Sequence, residues 1–380
     1  MKAVIMAGGE GCRLRPLTCN LPKPMAKIIG KPIIEFIFDV LYSCGVTTVA
    51  VTLGYLPHII EERYESGYKN LNLEFVREDE PLGTAGCVKN AAVAYNEPFL
   101  VISGDAFCDF DVKKIMAYHK ACGAKITIVC TGISDLHEYG TVKVNEENRV
   151  VGFDETPSRN QTEGSLANAG VYIIDPECLE LIPKGEKYDF VTDLFPLMLE
   201  RDMPIYCYYT KEYWCDVNDV ESYLKCQRDV FDGRMKSPIG LIADGIYVKS
   251  TMPCGDYSVI PPVYIGENTE ISDGAVIGPY TVIDDNCFIG ENAKIRYSAV
   301  LENSCIACGS AVTGALTCSG AVLKNQSSML ENSVAGSGCI IGENASVKSS
   351  VRIWPGKIVR SGEIVDSDVK FRKIKAMHII

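Results

Sequence analysis

Short apolar runs alternate with amphipathic stretches through the first half of the chain. The run at residues 3–7 ends in Gly8-Gly9, as a buried parallel strand would. A helical pattern then begins at Pro32 and ends at Gly45. Further predicted strands lie at Thr48–Leu53, Leu73–Glu78 and Pro98–Asp105, and further predicted helices at Pro57–Ser66 and Thr84–Tyr95. This order predicts an α/β domain whose mainly parallel sheet is covered on both faces.

A six-residue repeat replaces this alternation from about Val259. The aliphatic positions in phase are Ile265, Ile271, Ile277, Ile283, Ile289, Ile295 and Leu301, and the small residues four positions later are Thr269, Ala275, Thr281, Cys287, Ala293, Ala299 and Cys305. The phase slips by one at Ile306 and Val312, blurs through 313–338 and returns at Ile341, Val347 and Ile353. The repeat predicts a hexapeptide β-helix in which the aliphatic residues stack inward and the small residues fit the corners.

This change of pattern predicts two domains joined by a linker, as expected of a chain of 380 residues. The first domain is predicted to span 1–233 and to close with a helix at Val220–Gly233. Residues 234–244 form the predicted linker. The repeat domain is predicted at 245–364, and 365–380 form a tail of unassigned role.

The composition is that of a globular protein, with 47% hydrophobic and 23% charged residues. No apolar stretch approaches the ~18–20 residues of a membrane helix, and the opening segment does not resemble a signal peptide. The seventeen cysteines are odd in number and are not clustered, so we expect reduced, mostly buried thiols. These features predict a cytoplasmic protein with no membrane partner.

The net charge of −12 argues against a nucleic-acid-binding surface, so no nucleic acid partner is expected. Residues 1–31 differ from the rest, because their lysines and arginines outnumber a single acidic residue, Glu10. Glycines occur in the same segment. This combination predicts a local anion site near the N-terminus.

The segment from Gly8 to Met25 combines these glycines with two cations. Glycines let backbone amides approach a phosphate chain closely. Arg13 offers a planar, permanently charged set of donors, and Lys23 is a point charge held between two prolines. A short glycine pattern alone marks many tight turns. The whole string, placed directly after the first strand, predicts a phosphate-binding loop.

With this loop, the chain resembles the sugar-nucleotide pyrophosphorylases, a family of nucleotidyltransferases. Other matching segments are Glu80-Pro81-Leu82-Gly83-Thr84-Ala85-Gly86, Gly104-Asp105, Asn168-Ala169-Gly170 and Trp214-Cys215-Asp216. The resemblance implies a Rossmann-like nucleotidyltransferase domain followed by a left-handed parallel β-helix. The phrases EYWCDV and VRIWPGK look most like bacterial mannose-1-phosphate guanylyltransferases of the kind fused to a phosphomannomutase. No mutase follows, so the chain is expected to be a shorter relative or a fragment.

The resemblance also implies an activity and a role for each matching residue. A nucleoside triphosphate, GTP by resemblance, would react with a sugar 1-phosphate, mannose 1-phosphate by resemblance, and release pyrophosphate. The catalytic residues would be Arg13 and Lys23, and the Mg²⁺ ligands would be Asp105 and Asp216. The nucleotide would be bound by Gly8, Gly9, Gly11, Leu82, Gly83 and Thr84. The sugar phosphate would be bound by Glu155, Asn168, Gly170 and Arg159. The attacking phosphate has a second pKa of roughly 6, so it is already ionised at pH 7 and needs no general base.

Two positions depart from the family pattern. Thr156 stands where the family usually has a lysine that contacts the sugar phosphate, and Asn218 replaces a usual glycine. Losing a charged hydrogen bond of that kind costs ~1.5–3 kcal/mol. Arg159 is the nearest candidate to replace the missing cation.

Three alternatives compete with this activity. Thr156 favours a regulatory paralogue that binds nucleotide or nucleotide sugar without turnover. The residues leave the base and sugar open, so a glucose-1-phosphate nucleotidyltransferase that uses another base is a second alternative. Acyl transfer on the β-helix is not expected, because no histidine lies between His137 and His378. Since the open ends of a β-helix expose backbone edges and apolar residues, we also expect a homo-oligomer formed through 245–364.

Overall fold

The structure is a computed structural model that describes residues 1–132, 140–154, 166–235 and 245–370. Its internal contacts divide the chain into two compact units. The first comprises Met1–Gly11, Leu21–Ala26 and Lys31–Val217, and the second comprises Cys12–Asn20, Lys27–Gly30 and Asn218–Ile380. The predicted domain boundaries stay a prediction. The helix expected to close the first domain belongs, by these contacts, to the second unit.

The first unit is built around one mixed sheet. The strands up to residue 216 are β1 Lys2–Ala7, β2 Lys27–Ile28, β3 Lys31–Pro32, β4 Thr48–Leu53, β5 Asn72–Arg77, β6 Phe99–Ser103, β7 Ala106–Cys108, β8 Ile126–Thr131, β9 Thr141–Val144, β10 Val150–Asp154, β11 Leu166–Ile174, β12 Ile205–Thr210 and β13 Trp214–Asp216. The sheet has the order β10-β9-β11-β6-β1-β4-β5, with β8 beside β11 and β12 beside β8. Strands β6, β1, β4 and β5 are parallel, whereas β11 runs antiparallel to its neighbours. The predicted α/β fold is confirmed.

Helices alternate with the strands along the chain. They are α1 Ile33–Ser43, α2 Pro57–Arg63, α3 Gly83–Ala91, α4 Val112–Cys122, α5 Phe195–Glu200 and α6 Val220–Phe231. Asp111 caps α4 by accepting from the backbone N–H groups of Lys113 and Lys114, and Gly123 ends it with φ of +64°. None of the helices in the described ranges is long and apolar enough to cross a membrane.

The second unit is a β-helix of short parallel strands. They are β14 Ile246–Val248, β15 Ser258–Val259, β16 Val263–Ile265, β17 Glu270–Ile271, β18 Val276–Ile277, β19 Thr281–Ile283, β20 Phe288–Ile289, β21 Lys294–Arg296, β22 Ala299–Val300, β23 Cys305–Ile306, β24 Ala311–Thr313, β25 Leu316–Thr317, β26 Val322–Leu323, β27 Ser328–Met329, β28 Val334–Ala335, β29 Ile340–Ile341, β30 Ser346–Val347, β31 Arg352–Ile353, β32 Ile358–Val359 and β33 Ile364–Val365. They form three sheets of seven, seven and six strands, and each complete coil adds one strand to every sheet. The predicted β-helix is confirmed.

The register of the stack corrects the sequence prediction at one point. Ile283 pairs with Val300 rather than with Leu301, so the phase slips one step earlier than expected. The turn before β22 is one residue short: its left-handed residue, Tyr297, follows the left-handed Asn292 by five positions, whereas Asn286 and Asn292 are six positions apart. The buried small residue that follows Val300 is therefore Ser304, whereas Cys305 is the first, half-buried residue of β23.

The coils continue through the segment where the repeat blurs. Thr317 and Ala335 occupy stacked positions there, between Val300 and Ile353 in the same sheet. Both are fully buried, but neither is a large aliphatic residue. The six-residue pattern of large aliphatic residues is lost at these positions, whereas the stacking of the strands continues.

Candidate active site

The predicted phosphate-binding loop leaves β1 at the carboxyl end of the parallel strands. A Cβ at Gly54 would lie 2.7 Å from the carbonyl oxygen of Gly8, so the two loops approach closely enough to require glycine at 54. A Cβ at Gly9 would meet no atom of the described residues within 4 Å. Gly11 has φ of +59°, which also favours glycine. The backbone at Gly9 therefore faces open space, as a glycine loop that binds a ligand requires.

Asp105 follows β6, the strand beside β1. Met6 lies opposite Ser103 in this parallel pair, so the two strands end at the same edge of the sheet. The N–H of Gly104 donates to the carbonyl of Met6 at 2.8 Å. A Cβ at Gly104 would lie 2.9 Å from that carbonyl oxygen and 3.1 Å from Cγ of Pro24. Glycine at 104 thus lets the chain turn tightly against β1 and present Asp105 at the strand end.

A two-stranded ribbon brings the second predicted metal ligand to the same place. Strand β13 pairs with β7 in antiparallel fashion, and Asp216 lies opposite Ala106. Since Ala106 directly follows Asp105, the ribbon places the two aspartates side by side. The structure thus brings Asp105 and Asp216 together although the sequence separates them widely.

Lys23 lies between the two aspartates. Its Nζ is 2.5 Å from Oδ2 of Asp105 and 3.5 Å from Oδ1 of Asp216. The lysine is 7% exposed and sits in a helical turn at Lys23–Met25. Burial acts to raise the pKa of Asp105, but the charge of Lys23 and hydrogen bonds from Lys23 and Ser103 outweigh it and lower the pKa. Asp105 is therefore ionised at neutral pH.

Asn168 and Gly170 lie at an irregularity of β11. The register between β11 and β8 shifts between Asn168 and Tyr172, and Gly170 has φ of +68°. The side-chain oxygen of Asn168 accepts from the Gly170 N–H at 3.0 Å, and its Nδ2 donates to the Tyr172 hydroxyl at 3.1 Å. A Cβ at Gly170 would lie 3.3 Å from Cβ of Ser103. This turn therefore lies against Ser103, the last residue of β6, two positions before Asp105.

The segment predicted to bind the nucleobase is held by hydrogen bonds within the chain. Asp189 Oδ1 accepts from the N–H and the hydroxyl of Thr84 at 2.9 and 3.0 Å. Glu78 accepts from the Leu82 N–H at 2.9 Å. Gly83 has φ of +73°, and a Cβ there would lie 2.7 Å from the carbonyl oxygen of Tyr188. Since the Leu82 and Thr84 amides already have acceptors, the structure uses these two donors to shape the loop.

Arg13 belongs to the second unit, in a helical turn at Cys12–Leu14, and its side chain is exposed. Arg13 thus belongs with the β-helix, and Lys23 and both aspartates belong to the first unit. Glu155 and Arg159 lie outside the described residues. Their predicted roles in binding the sugar phosphate therefore stay predictions.

Three residues of the site were not predicted from the sequence. Ser103 donates to Asp105, and its position two residues before that aspartate was an available signal. Glu78 and Asp189 hold the Leu82–Thr84 segment. Asp189 is 105 positions away from Thr84, so only the folded chain shows the relationship.

The residues at this strand end fit a hard divalent cation. Within 1–132, 140–154, 166–235 and 245–370, no group of three or more histidine, cysteine, aspartate or glutamate side chains could hold a metal ion. Asp105 and Asp216 nevertheless converge on one cation, the Lys23 ammonium. Mg²⁺ typically takes one or two protein carboxylates and completes its shell with water and substrate phosphates. A pair of carboxylates beside a phosphate-binding loop suits that ion.

Comparison with known proteins agrees with this geometry. The family model described as nucleotidyl transferase matches residues 2–233, which is more than half of the chain. The chain belongs to the nucleotidyl transferase family. A second model, described as the GMPPB C-terminal domain, matches residues 259–370, the β-helix. The predicted enzyme class is thereby confirmed, and this family generally uses a divalent metal.

Individual relatives extend the likeness beyond the first unit. A UTP–glucose-1-phosphate uridylyltransferase of Synechocystis is 30% identical over 325 residues, covering 80% of this chain and 84% of the relative. A mannose-1-phosphate guanylyltransferase of Mycobacterium tuberculosis is 29% identical over 310 residues, covering 79% of this chain and 82% of the relative. The crystal structure of HddC from Yersinia pseudotuberculosis complexed with GMP-PN has a TM-score of 0.52 and 29% identity, covering 60% of this chain and 99% of that one.

Proposed function

We propose that this protein transfers a guanylyl group from GTP to mannose 1-phosphate and releases pyrophosphate. The convergence of Lys23, Asp105 and Asp216 at the strand ends that carry the glycine loop supports nucleotidyl transfer. The guanine and mannose specificity is supported by relatives named for that reaction and by the match of the β-helix to the GMPPB C-terminal domain. The regulatory alternative is not favoured, because a protein that only senses a nucleotide has less need of both aspartates.

The reaction brings two anions together, so its main requirement is positioning and charge neutralisation. Gly8, Gly9 and Gly11 would cradle the triphosphate with backbone amides. Arg13 and Lys23 would neutralise it as an oxygen of the sugar phosphate attacks the α-phosphorus in line. The bond from that phosphorus to the leaving pyrophosphate breaks as the new bond forms. No side chain needs to remove a proton, because the attacking oxygen is already ionised at pH 7.

Asp105 and Asp216 would hold Mg²⁺, and Asp105 is kept ionised for that purpose by Lys23 and Ser103. When bound, the ion would neutralise phosphate charge and stabilise the charge that develops on transfer. Asn168 and Gly170 would contact the sugar. Glu155 and Arg159 would complete the sugar-phosphate site, with Arg159 in place of the lysine that Thr156 replaces.

The direct test is a matrix of nucleoside triphosphates against sugar 1-phosphates, with pyrophosphate release as the readout. GTP with mannose 1-phosphate should give the highest kcat/KM, and the Asp105→Asn variant should abolish it. The matrix must include UTP with glucose 1-phosphate, because one relative is named for that pair. Faster turnover with that pair would contradict the proposed specificity. Nucleotide binding without release in any combination would contradict the proposed reaction.

We further propose that the protein is cytoplasmic and forms a homo-oligomer through 245–364. All seventeen cysteines are free thiols and most are buried, as is typical of a reducing compartment. The open end of the β-helix is the support for assembly, and its test is given in the Discussion.

A further inference from the structure

The last complete coil of the β-helix contacts the loop that carries Arg13. Nη1 of Arg352 donates to the carbonyl oxygen of Arg13 at 3.1 Å and to that of Arg15 at 2.9 Å. One terminal nitrogen therefore binds the backbone on both sides of Leu14. All of these residues belong to the second unit. The contact spans 339 positions of sequence, so a local turn preference does not explain it.

Arg352 is itself held rigidly. It lies on β31, where it pairs with Val334, and its N–H donates to Oδ1 of Asp368 at 2.9 Å. Its carbonyl accepts from the Val369 N–H at 3.0 Å. Backbone bonds on both sides thus fix the position of the guanidinium stem. A charged donor on a fixed strand can set the position of the turn that carries Arg13.

The loop is anchored in a way that leaves the Arg13 side chain accessible. Leu14 is fully buried, whereas the side chain of Arg13 is exposed. The two carbonyls bound by Arg352 belong to the residues that flank Leu14. If both were released, the turn could rotate about its buried leucine and move the Arg13 guanidinium. A displacement of about 1 Å in a catalytic group is enough to cost on the order of 100-fold in rate.

We propose that Arg352 is a positioning residue for Arg13, through which the β-helix sets the catalytic loop of the nucleotidyl transfer reaction. This inference rests on the proposed function, because Arg13 acts on the triphosphate only if that function holds. It gives the VRIWPGK segment a role in turnover. Arg352 itself contacts no substrate in this scheme.

The test compares Arg352→Met, which keeps the aliphatic stem and removes the donors, with wild type. We expect kcat for GTP and mannose 1-phosphate to fall by roughly 10- to 100-fold, with little change in KM. Arg352→Lys should recover most of the loss, because an ammonium also carries several hydrogens on one nitrogen. Arg296→Met is the matched control. Arg296 is an exposed β-helix arginine whose Nε donates, among the described residues, to the hydroxyl of Thr313, so turnover should stay unchanged.

A double-mutant cycle separates positioning from general destabilisation. Combining Arg13→Ala with Arg352→Met should reduce kcat no further than Arg13→Ala alone, because Arg352 acts through Arg13. Additive losses would overturn the inference. So would an unchanged kcat in Arg352→Met, or an equal loss in Arg296→Met.

Hydrogen exchange supplies a readout that does not depend on activity. The amides of Arg15 and Cys19 donate within the loop, to Cys12 and Pro16. Exchange of the peptide covering 12–20 should speed up in Arg352→Met and not in Arg296→Met. Unchanged exchange would overturn the inference even in an active enzyme. If wild type releases no pyrophosphate with any substrate pair, the proposed function fails, and exchange alone then decides whether Arg352 holds the loop.

Discussion

The ammonium group of Lys23 lies 2.5 Å from Asp105 and 3.5 Å from Asp216, residues that are 82 and 193 positions away in sequence. Two carboxylates placed this close would repel each other if no cation lay between them. The arrangement therefore makes each of the three side chains dependent on the other two. Substitutions that keep the shape of these side chains should therefore disturb the charge balance of the site more than its packing.

The two aspartates should be required for turnover and not for folding. Asp105→Asn and Asp216→Asn should each reduce kcat by at least ~100-fold, because the amide cannot hold a divalent cation as a carboxylate does. Circular dichroism and thermal melting should remain close to wild type, since the substitution preserves shape. Steady-state pyrophosphate release with increasing Mg²⁺ measures the effect.

Asp202→Asn is the matched control for the aspartates. Asp202 is exposed, pairs with Arg149 and has φ of +55°, a conformation that asparagine adopts readily. Its turnover should equal that of wild type. Near-normal turnover in Asp105→Asn or Asp216→Asn would show that the metal assignment is wrong.

Lys23 should keep the protonation of Asp105 from limiting activity at acid pH. Burial favours the neutral form of Asp105, and Lys23 reverses that preference, so the pKa of Asp105 is lowered in the folded protein. With Lys23→Met the pKa should rise, and protonation should inactivate the enzyme at a higher pH. We expect the acid limb of the kcat profile to move up by at least about one unit.

Lys23→Arg is the control for that shift, because it keeps the positive charge beside Asp105. The ionisation of the sugar phosphate affects both variants equally. Its acid limb should stay near that of wild type even if its rate falls. A profile for Lys23→Met that superimposes on wild type after scaling would contradict the electrostatic role of Lys23.

The sequence predicted elements well where local signals were strong. The strand Thr48–Leu53 was placed at both ends correctly, because a run rich in β-branched residues lies between Gly45 and Gly54. The helix expected at Thr84–Tyr95 ends at Ala91, and Tyr95 turns back to place its hydroxyl 3.4 Å from the Ala3 carbonyl. A tertiary contact thus ended the helix earlier than propensity indicated.

The register of the β-helix and the supports of the site could not be read from the chain alone. The slip to Val300 comes from a spacing of five rather than six residues between the left-handed corner residues Asn292 and Tyr297. The contact between Thr84 and Asp189 depends on the fold of the intervening chain. Long-range pairings of this kind leave no periodic trace in a single sequence.

A buried charge network in the second unit should make stability depend on pH. Lys27 Nζ donates to Asp284 at 2.7 Å and to Glu302 at 2.8 Å, and Asp284 is nearly fully buried. Burial, together with a hydrogen bond to Glu302, raises the pKa of Asp284 from 3.8 to about 6, although Lys27 acts to lower it. Asp284 Oδ1 has no hydrogen-bond donor among the described residues. In the folded protein a proton on Asp284 is shared with Glu302 through the hydrogen bond between the two carboxyl groups.

The sign of the effect follows from proton binding. Between pH 3.8 and about 6 the folded state holds a proton on Asp284 that the unfolded state has released, so stability falls as pH rises. Asp284→Asn removes this loss. Urea titrations measure the free energy of unfolding of this variant and of wild type. The difference, variant minus wild type, should increase by roughly 1–3 kcal/mol between pH 4.5 and pH 7.5. Asp256→Asn, at an exposed site, is the control, and its stability should change with pH as that of wild type does. If the stability of Asp284→Asn ran parallel to that of wild type across this pH range, the shared proton would be contradicted.

The open end of the β-helix should mediate self-association. Strands β32 and β33 terminate two of its three sheets within the described part of the chain, and their residues Ile358 and Ile364 are 67% and 65% exposed. Each is a large aliphatic residue on a strand whose outer edge pairs with no other described strand, so a second copy can cover it. Light scattering at micromolar concentration should therefore show a species larger than 41.6 kDa.

Charge placed at this end should dissociate the assembly. Ile358→Glu and Ile364→Glu should each lower the measured mass, because association would bury an unpaired carboxylate. Lys294→Glu, at an exposed outward position on β21, should leave the mass unchanged. A wild-type monomer would refute self-association. An oligomer that both glutamate variants leave intact would place the contacts on another surface, because a buried glutamate at the interface would cost several kcal/mol.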